Sequence, residues 1–328
     1  MGRFFFIQNM LKKILFSFLC VLVGIVFLVS GYTKGGFPFP YSSPIEPFEY
    51  TFVDLGIANW QTAPFIARLL IGLELFIGLL LVFNIKLKKI AYKLGIITLL
   101  IFCIYLILLI LFSGNKGNCG CFGEVFAMTP FWALIKNIVM LIILVILYKF
   151  HAGWDSKTTT YFLWATLVSA VGLPFVWNPV ELSYSESYLN KPEENFKLEL
   201  DTLYEHASLN IPPKTLSKGK HIIVFMSLTC PHCRIAANKI RIMQERNPNI
   251  PFYFVLNGEE KNLKPFFENT HTENIPHCML VGGKPINYFI YLAGTTMPAI
   301  YMVNNSVVEH NVNYIDLDQG EIEKWLTK

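Results

Sequence analysis

Charge is scarce in this sequence. Only 15% of its 328 residues are Asp, Glu, Lys or Arg, where an average soluble domain carries about a quarter. The net charge is +4, and the lysines gather at the ends of apolar runs rather than on one face. That gives no ground for nucleic-acid binding. There is no repeat of fixed period and no long low-complexity tract. A nucleotide-binding glycine loop, a serine triad and a zinc-protease helix motif are all missing. No small-x-small cleavage site follows the first apolar run, and Cys20 is preceded by Leu19 rather than a small residue. The run is therefore expected to stay as an anchor and not to be removed as a signal peptide or lipoprotein leader.

Apolar residues make up 53% of the chain, and almost all of the excess lies before Trp177. Five segments stand out: Ile14–Val29, Ala63–Ile85, Leu94–Phe112, Phe131–Tyr148 and Tyr161–Val176. A spanning helix needs about 20 apolar residues. The middle three satisfy this, and Phe4–Ile7 with Met10–Leu11 extend the first. The fifth is short and holds Pro174, so a buried or re-entrant helix is its alternative. This half, residues 1–177, is expected to be a lipid-embedded helical bundle.

Orientation follows from the loops. Arg3, Lys12 and Lys13 precede the first segment. Lys86, Lys88, Lys89 and Lys93 separate the second and third, and Lys149 and Lys157 the fourth and fifth. The other connections are expected to hold only Lys34 and Lys116. Positive loops mark the cytoplasmic side. Five spans then put the N-terminus inside and the C-terminal part outside a bacterial cytoplasmic membrane. Two charges fall in the second span. Glu74 lies near its middle, where it is read either as a proton-handling group or as a protonated carboxyl bonded to a neighbouring helix. Arg68 lies nearer the end and is expected to snorkel. Six residues apart, the two do not form an i,i+4 pair.

Between the third and fourth spans runs Gly117-Asn118-Cys119-Gly120-Cys121-Phe122-Gly123-Glu124. Two cysteines flanking one glycine can close a small strained disulfide, and strain makes a disulfide more oxidising. A static disulfide or a pair of metal thiolates are the other readings, although two cysteines do not complete a tetrahedral zinc site.

This run resembles the MauE branch of the DoxX-like membrane proteins. So do Ala67–Gly78 in the second segment and Ser30-Gly31-Tyr32-Thr33-Lys34 at the end of the first. The likeness covers roughly residues 10–150. It implies a four-helix bundle linked to disulfide formation in exported proteins, to which this chain adds a fifth helix and a soluble domain. A more distant likeness to quinone-coupled disulfide-forming enzymes would make a membrane quinone the electron carrier. No quinone site can be read from the residues themselves, and no motif demands another cofactor.

Residues 178–195 read as a polar linker. Beyond them strands and helices alternate. Ile222–Met226 suits a buried parallel strand, Arg234–Arg246 a helix and Phe252–Leu256 a second strand. Lys261–Asn269 and Ile286–Leu292 suit helices. Ala299–Val303 and Val307–Asn311 suit a hairpin, and Asp316–Leu326 a closing helix. Cys230-Pro231-His232-Cys233 sits at the strand-to-helix junction. There the helix dipole and free N–H groups favour a Cys230 thiolate. Cys233 lies one turn on, Pro231 fits a first helical turn, and His232 can stabilise the thiolate by charge or hydrogen bond.

The order of elements over residues 196–328 resembles the thioredoxin superfamily, an α/β fold. The Pro-His pair between the cysteines resembles the periplasmic disulfide-oxidant branch. That resemblance implies Cys230 as attacking nucleophile, Cys233 as resolving thiol and Pro298, after Met297, as the cis-proline shaping a substrate groove. Many members have Thr where this chain has Met297. Cys278 reads as a buried or free thiol, and Cys20 and Cys103 as packing residues. His271 and His277 read as surface or structural residues.

The expected activity is thiol–disulfide exchange with exported proteins. Electrons would pass between the Cys230–Cys233 pair, the Cys119–Cys121 pair and a membrane carrier. A flexible linker of about 20 residues has an r.m.s. span of about 25 Å. Tethering would give an effective concentration near the millimolar range. Copper delivery and an assembly role using the same cysteines are the alternatives.

Overall fold

The computed structural model describes residues 2–37, 44–115, 118–126, 128–180, 195–280, 287–294 and 297–328. Most of the expected linker lies outside the described residues, as do Lys116 and Gly117. The chain forms two compact units, Met1–Val180 and Glu181–Lys328.

The first unit is helical. Its helices are α1 (Gly2–Lys34), α2 (Glu46–Asp54), α3 (Ala63–Val82), α4 (Tyr92–Ser113), α5 (Pro130–Phe150) and α6 (Lys157–Trp177). Five of these, all but α2, are long and apolar enough to cross a membrane. Helix α6 runs through Pro174 to a full 21 residues. Its start is fixed by a reciprocal cap. Ser156 Oγ accepts from the Thr159 N–H at 3.2 Å, and Thr159 Oγ accepts from the Ser156 N–H at 2.8 Å. Helix α3 packs against both α1 and α6, and α4 against α5. The α1–α3 crossing is close because small residues meet there. A Cβ on Gly24 would come within 2.9 Å of the Gly78 carbonyl oxygen, and one on Gly78 within 2.7 Å of Leu28. Without a hydrophobic drive between helices in lipid, such close approach supplies the packing. Leu100, Ile101, Ile104, Ile138, Ile142 and Val168 remain exposed on the outside, as a lipid-facing surface requires.

The two ends of the bundle differ. At one, the Trp154 N–H donates to the Asn84 carbonyl at 2.7 Å, and Asp155 pairs with both Lys86 and Lys89. This is the lysine-rich end. At the other, Arg68 Nη1 meets Glu49 of α2 at 2.5 Å, and Arg68 Nε donates to the Asn178 carbonyl at 2.6 Å. Asn178 Nδ2 in turn reaches the Gly35 carbonyl. Two expectations are corrected here. Arg68 does not snorkel, because a buried carboxylate and two carbonyls satisfy it inside the bundle. Lys34 is not in a loop. Helix α1 carries it to its last turn and buries it against Glu74.

The second unit is a six-stranded sheet with helices. Its elements are β2 (Phe196–Lys197), α7 (Leu200–His206), β3 (Lys220–Ser227), α8 (Pro231–Arg246), β4 (Phe252–Asn257), α9 (Leu263–Thr270), β5 (His277–Met279), α10 (Tyr288–Ala293), β6 (Ala299–Asn304), β7 (Val307–Val312) and α11 (Gln319–Thr327). The short strand β1 (Cys121–Glu124) belongs to the first unit. The strand order is β2-β7-β6-β3-β4-β5. Strands β3, β4 and β5 run parallel, and β6 and β7 return antiparallel. Successive side chains alternate between faces. Ile223, Phe225, Tyr253, Val255 and Tyr301 pack with Leu203 of α7 and Phe289 and Leu292 of α10. Ile222, Val224, Met226, Phe254 and Leu256 are equally buried on the other face. The hairpin turns at Asn305–Ser306, one residue later than expected, because Asn304 still pairs with Val307 and the next two residues take the positive φ of the turn. The short helices α7 and α10 have too few residues for a clear period. Helix α10 begins at Tyr288, with Asn287 Oδ1 capping the Ile290 N–H at 3.2 Å, and Ile286, the expected start, lies outside the described residues.

Candidate functional site

Cys230 is the N-cap of α8, directly after β3. Its N–H donates to the Ser227 carbonyl at 3.1 Å, and its carbonyl accepts from Arg234. Cys230 is partly exposed. Cys233 is fully buried, and its sulfur accepts from the Ser227 N–H at 3.4 Å. Burial and the hydrogen bond with Cys230 push the Cys233 thiol up. This asymmetry separates an accessible sulfur from a sheltered one, as nucleophilic attack followed by resolution requires. Met297–Pro298 is a cis peptide. The β3–β6 register pairs Phe225 with Ala299. Carried two residues further, it brings Met297 across from Ser227, at the end of β3 from which the dithiol loop leaves.

His232 lies in the first turn of α8. Its Nδ1 hydrogen-bonds the Tyr314 hydroxyl at 3.1 Å, and among the described residues it makes no hydrogen bond to Cys230. Tyr314 is itself anchored, since buried Lys239 donates to the Tyr314 and Ile315 carbonyls at 3.0 and 2.9 Å. Tyr314 and Lys239 escaped the sequence reading because both are far from the motif in the chain. Cys278 is buried, and its thiol is pushed up to about 12 by burial. Cys20 is buried beside Tyr92. His277 hydrogen-bonds Asn210 and the Ile275 carbonyl. Among the described residues no group of three or more His, Cys, Asp or Glu is placed to hold a metal ion.

The second pair lies in the loop between α4 and α5. Asn118 organises it. Its Nδ2 donates to the Gly123 carbonyl at 2.8 Å, and its Oδ1 accepts from the Gly120 and Met128 N–H groups. The Cys119 N–H reaches the Met128 carbonyl. Gly120 has φ +69°, a left-handed conformation that glycine adopts without penalty, and it reverses the chain between the cysteines. Strand β1 lies along α1, where the Ser30 hydroxyl donates to the Cys121 carbonyl at 2.9 Å. Cys119 is buried against Leu106 of α4 and Ala133 of α5, with Tyr105 alongside. The pair is thus folded onto the end of the bundle. Both cysteines are free thiols. The Cys121 N–H points at Cys119 Sγ, 3.4 Å away. A hydrogen bond from the Cys121 thiol, with smaller help from backbone donors and Lys136, brings Cys119 down to about 7. The Cys121 thiol is pushed up by the same bond and by burial.

Beneath this loop lies a polar cluster within the bundle. Lys34 Nζ pairs with Glu74 Oε1 at 2.7 Å, both fully enclosed. The ammonium also lies 4.6 Å from the centre of the Phe48 ring. Glu74 is therefore half of an ion pair rather than a lone carboxyl, and its Oε2 is buried without a partner. Lys136 of α5 lies over the Phe122 ring at 4.2 Å. Asn137, on the same buried stripe of α5 as Ala133 and one turn on, has an unpartnered Nδ2. Lys136 escaped the sequence reading, although a lysine six residues inside an apolar span was the signal that could have found it.

A multi-helix membrane unit followed by a sheet of this order, with its dithiol at the β3–α8 junction beside a cis-proline, defines a thioredoxin-like membrane protein. Residues 12–150 match the family described as methylamine utilisation protein MauE. Protein TlpB of Flavobacterium psychrophilum is 30% identical over 295 residues, covering 77% of this chain and 79% of the relative. The chain belongs to the TlpB family, and its membrane unit carries a MauE domain. Two solved structures are similar to it. One is MTB dsbF in mixed oxidised and reduced forms, with 17% identity, TM-score 0.30, and coverage of 38% of this chain and 95% of that one. The other is a secreted Mycobacterium tuberculosis disulfide oxidoreductase homologous to E. coli DsbE, with 14% identity, TM-score 0.30, and coverage of 39% and 97%. The fold assignment stands on the strand order and register, not on these scores.

Proposed function

We propose that this protein is a membrane-bound thiol–disulfide oxidoreductase acting on exported proteins, with electrons relayed between Cys230–Cys233 and Cys119–Cys121. The observation that carries the relay is where the chain leaves the bundle. Asn178 is bonded to Gly35 and Arg68, and Gly35 lies five residues beyond Ser30, which holds Cys121. The tether to the thioredoxin-like unit starts at the end of the bundle that carries the second dithiol.

In the oxidising direction a substrate thiolate attacks the Cys230–Cys233 disulfide at Cys230, and Cys233 leaves as thiolate. The second substrate thiol then attacks the substrate sulfur of that mixed disulfide, so the substrate disulfide forms and Cys230 departs as thiolate. The substrate loses two electrons and two protons. The reduced pair next attacks the Cys119–Cys121 disulfide by the same two exchanges. Cys119 and Cys121 in turn pass two electrons to a membrane carrier. Run backwards, the same steps deliver reducing power outward. A membrane quinone is the proposed carrier class, and when bound it would accept the two electrons. Lys136 and Asn137, whose Nδ2 is buried without a partner, are the residues beneath the loop that would hold it. The lysine-rich end of the bundle is assigned to the cytoplasm of a bacterial inner membrane, which puts both dithiols outside.

The test replaces Cys233 by Ser, so that Cys230 cannot resolve its mixed disulfides. A protease site is placed near Asn190, the chain is cleaved, and the fragments are run on a non-reducing gel. A link between the halves that needs Cys119 or Cys121 and yields to reductant is expected. Halves that separate, with Cys230 trapped on other proteins, would restrict the exchange to the soluble unit and overturn the relay.

A further inference from the structure

Charge in the membrane unit does not balance among carboxylates. Lys34 is matched by Glu74 and Arg68 by Glu49. Lys136 is half-buried in α5 and, among the described residues, has no carboxylate at ion-pair distance. A lysine inside a span is costly unless something answers its charge. The Phe122 ring 4.2 Å below it supplies only a weak quadrupole attraction. Phe122 adjoins Cys121, and Ala133, one turn before Lys136 on α5, touches Cys119. Among the described residues, Cys119 and Cys121 are thus acidic groups beside Lys136 that are not already committed to a cation.

We propose that the Lys136 ammonium is the counter-ion of the thiolate formed in the Cys119–Cys121 pair, and so holds that pair in its reduced state. This rests on the redox reading of the loop given above. The Cys119–Cys121 disulfide takes two electrons from the Cys230–Cys233 dithiol, which becomes a disulfide. One of the two protons released goes to Cys121 as a thiol, and the other goes to solvent. Cys119 remains a thiolate. With Lys34 and Glu74 cancelling, the cluster carries a net +1 when the pair is oxidised and none when it is reduced. A buried net charge is penalised, so reduction is favoured and the couple becomes more oxidising.

The groups facing the pair come from every packed element. They are Lys34 on α1, Glu74 on α3, Cys103 and Tyr105 on α4, and Lys136 on α5, with Asp54 of α2 acting on Tyr105. Lys34 is the nearest competitor for the role, but Glu74 holds it. Lys136 also outranks Lys34 in its electrostatic effect on Cys121.

The experiment uses the full chain in lipid nanodiscs with Cys230 and Cys233 changed to Ser. Thiolate is followed by its ultraviolet absorbance as pH is raised. The signal of a Cys119→Ser/Cys121→Ser variant is subtracted to remove the other cysteines. The reduced pair is expected to ionise near pH 7, where Cys119 is set. Lys136→Met should move the midpoint up by about one pH unit or more, while Lys136→Arg should keep it. Equilibration with a dithiol buffer should then show Lys136→Met about tenfold more oxidised, equivalent to about 30 mV for a two-electron couple. A midpoint and redox ratio unmoved in Lys136→Met would overturn the assignment. Met suits an apolar span, so loss of fold is not the expected result, and the Arg variant provides the rescue. Failure of the wild-type loop to form a disulfide under any oxidant would overturn the relay itself. The thiolate titration would still decide the role of Lys136.

Discussion

At the scale of the residue, the two halves of the C-x-x-C motif differ by exposure more than by chemistry. Cys230 caps a helix at the surface, and Cys233 lies one turn inside it. Cys278, on β5, is a thiol buried in the sheet and raised to about 12 by that burial. A raised pKa keeps a thiol protonated, and the protonated form is the inert one. In the native, reduced protein at pH 8, iodoacetamide should therefore modify Cys230 and leave Cys278 untouched. Peptide mass spectrometry checks this, and adding denaturant should remove the difference. Modification of native Cys278 at a rate like that of Cys230 would show that the sheet opens readily. Tyr314 is the other residue that matters here, because its hydroxyl holds the His232 ring through Nδ1.

At the scale of the element, α1 and α3 are joined by two features of opposite kind. Gly24 and Gly78 let the backbones touch, and Lys34–Glu74 ties them nearer the Cys119–Cys121 loop by charge. A buried ion pair is weak evidence of stability as a whole, yet breaking it leaves one charge stranded. Lys34→Met alone and Glu74→Gln alone should each lower stability by about 3–5 kcal/mol. The double variant Lys34→Met/Glu74→Leu should recover most of that loss. Thermal unfolding in detergent measures all three. Single variants as stable as the parent would mean that the pair is not closed in the membrane. The same crossing explains why Arg68 and Lys34 are not at the lipid surface. Helix α2 supplies Glu49 for the first and Phe48 for the second.

At the scale of the whole molecule, the fifth span decides on which side the thioredoxin-like unit lies. Helix α6 is a full-length apolar helix capped at its start. If all five helices cross, alkaline phosphatase fused after Lys328 should be active, and a fluorescent protein that needs the cytoplasm to mature should stay dark. The opposite pair of results would place the two dithiols on different sides and remove the relay. Deleting residues 157–177 should reverse the reporters, because the lysine-rich connections orient the remaining four helices.

Much of this was legible along the chain because local pattern carries it. Uninterrupted apolar length declares a membrane helix. A buried strand running into Cys-x-x-Cys and a helix declares a redox motif, and both are present in consecutive residues. The Cys-x-Cys loop was visible for the same reason. What only the tertiary structure decided are relations between residues far apart in sequence. Lys34 and Glu74 are 40 positions apart, Arg68 and Asn178 are 110 apart, and His232 and Tyr314 are 82 apart. Periodicity reports which face of a helix is apolar, but not which polar group on another helix will meet the exception on that face. Lys136 and Asn118 belong to this class. Each matters through what the fold brings beside it: a thiol pair for the lysine, and the backbone of the loop between α4 and α5 for the asparagine.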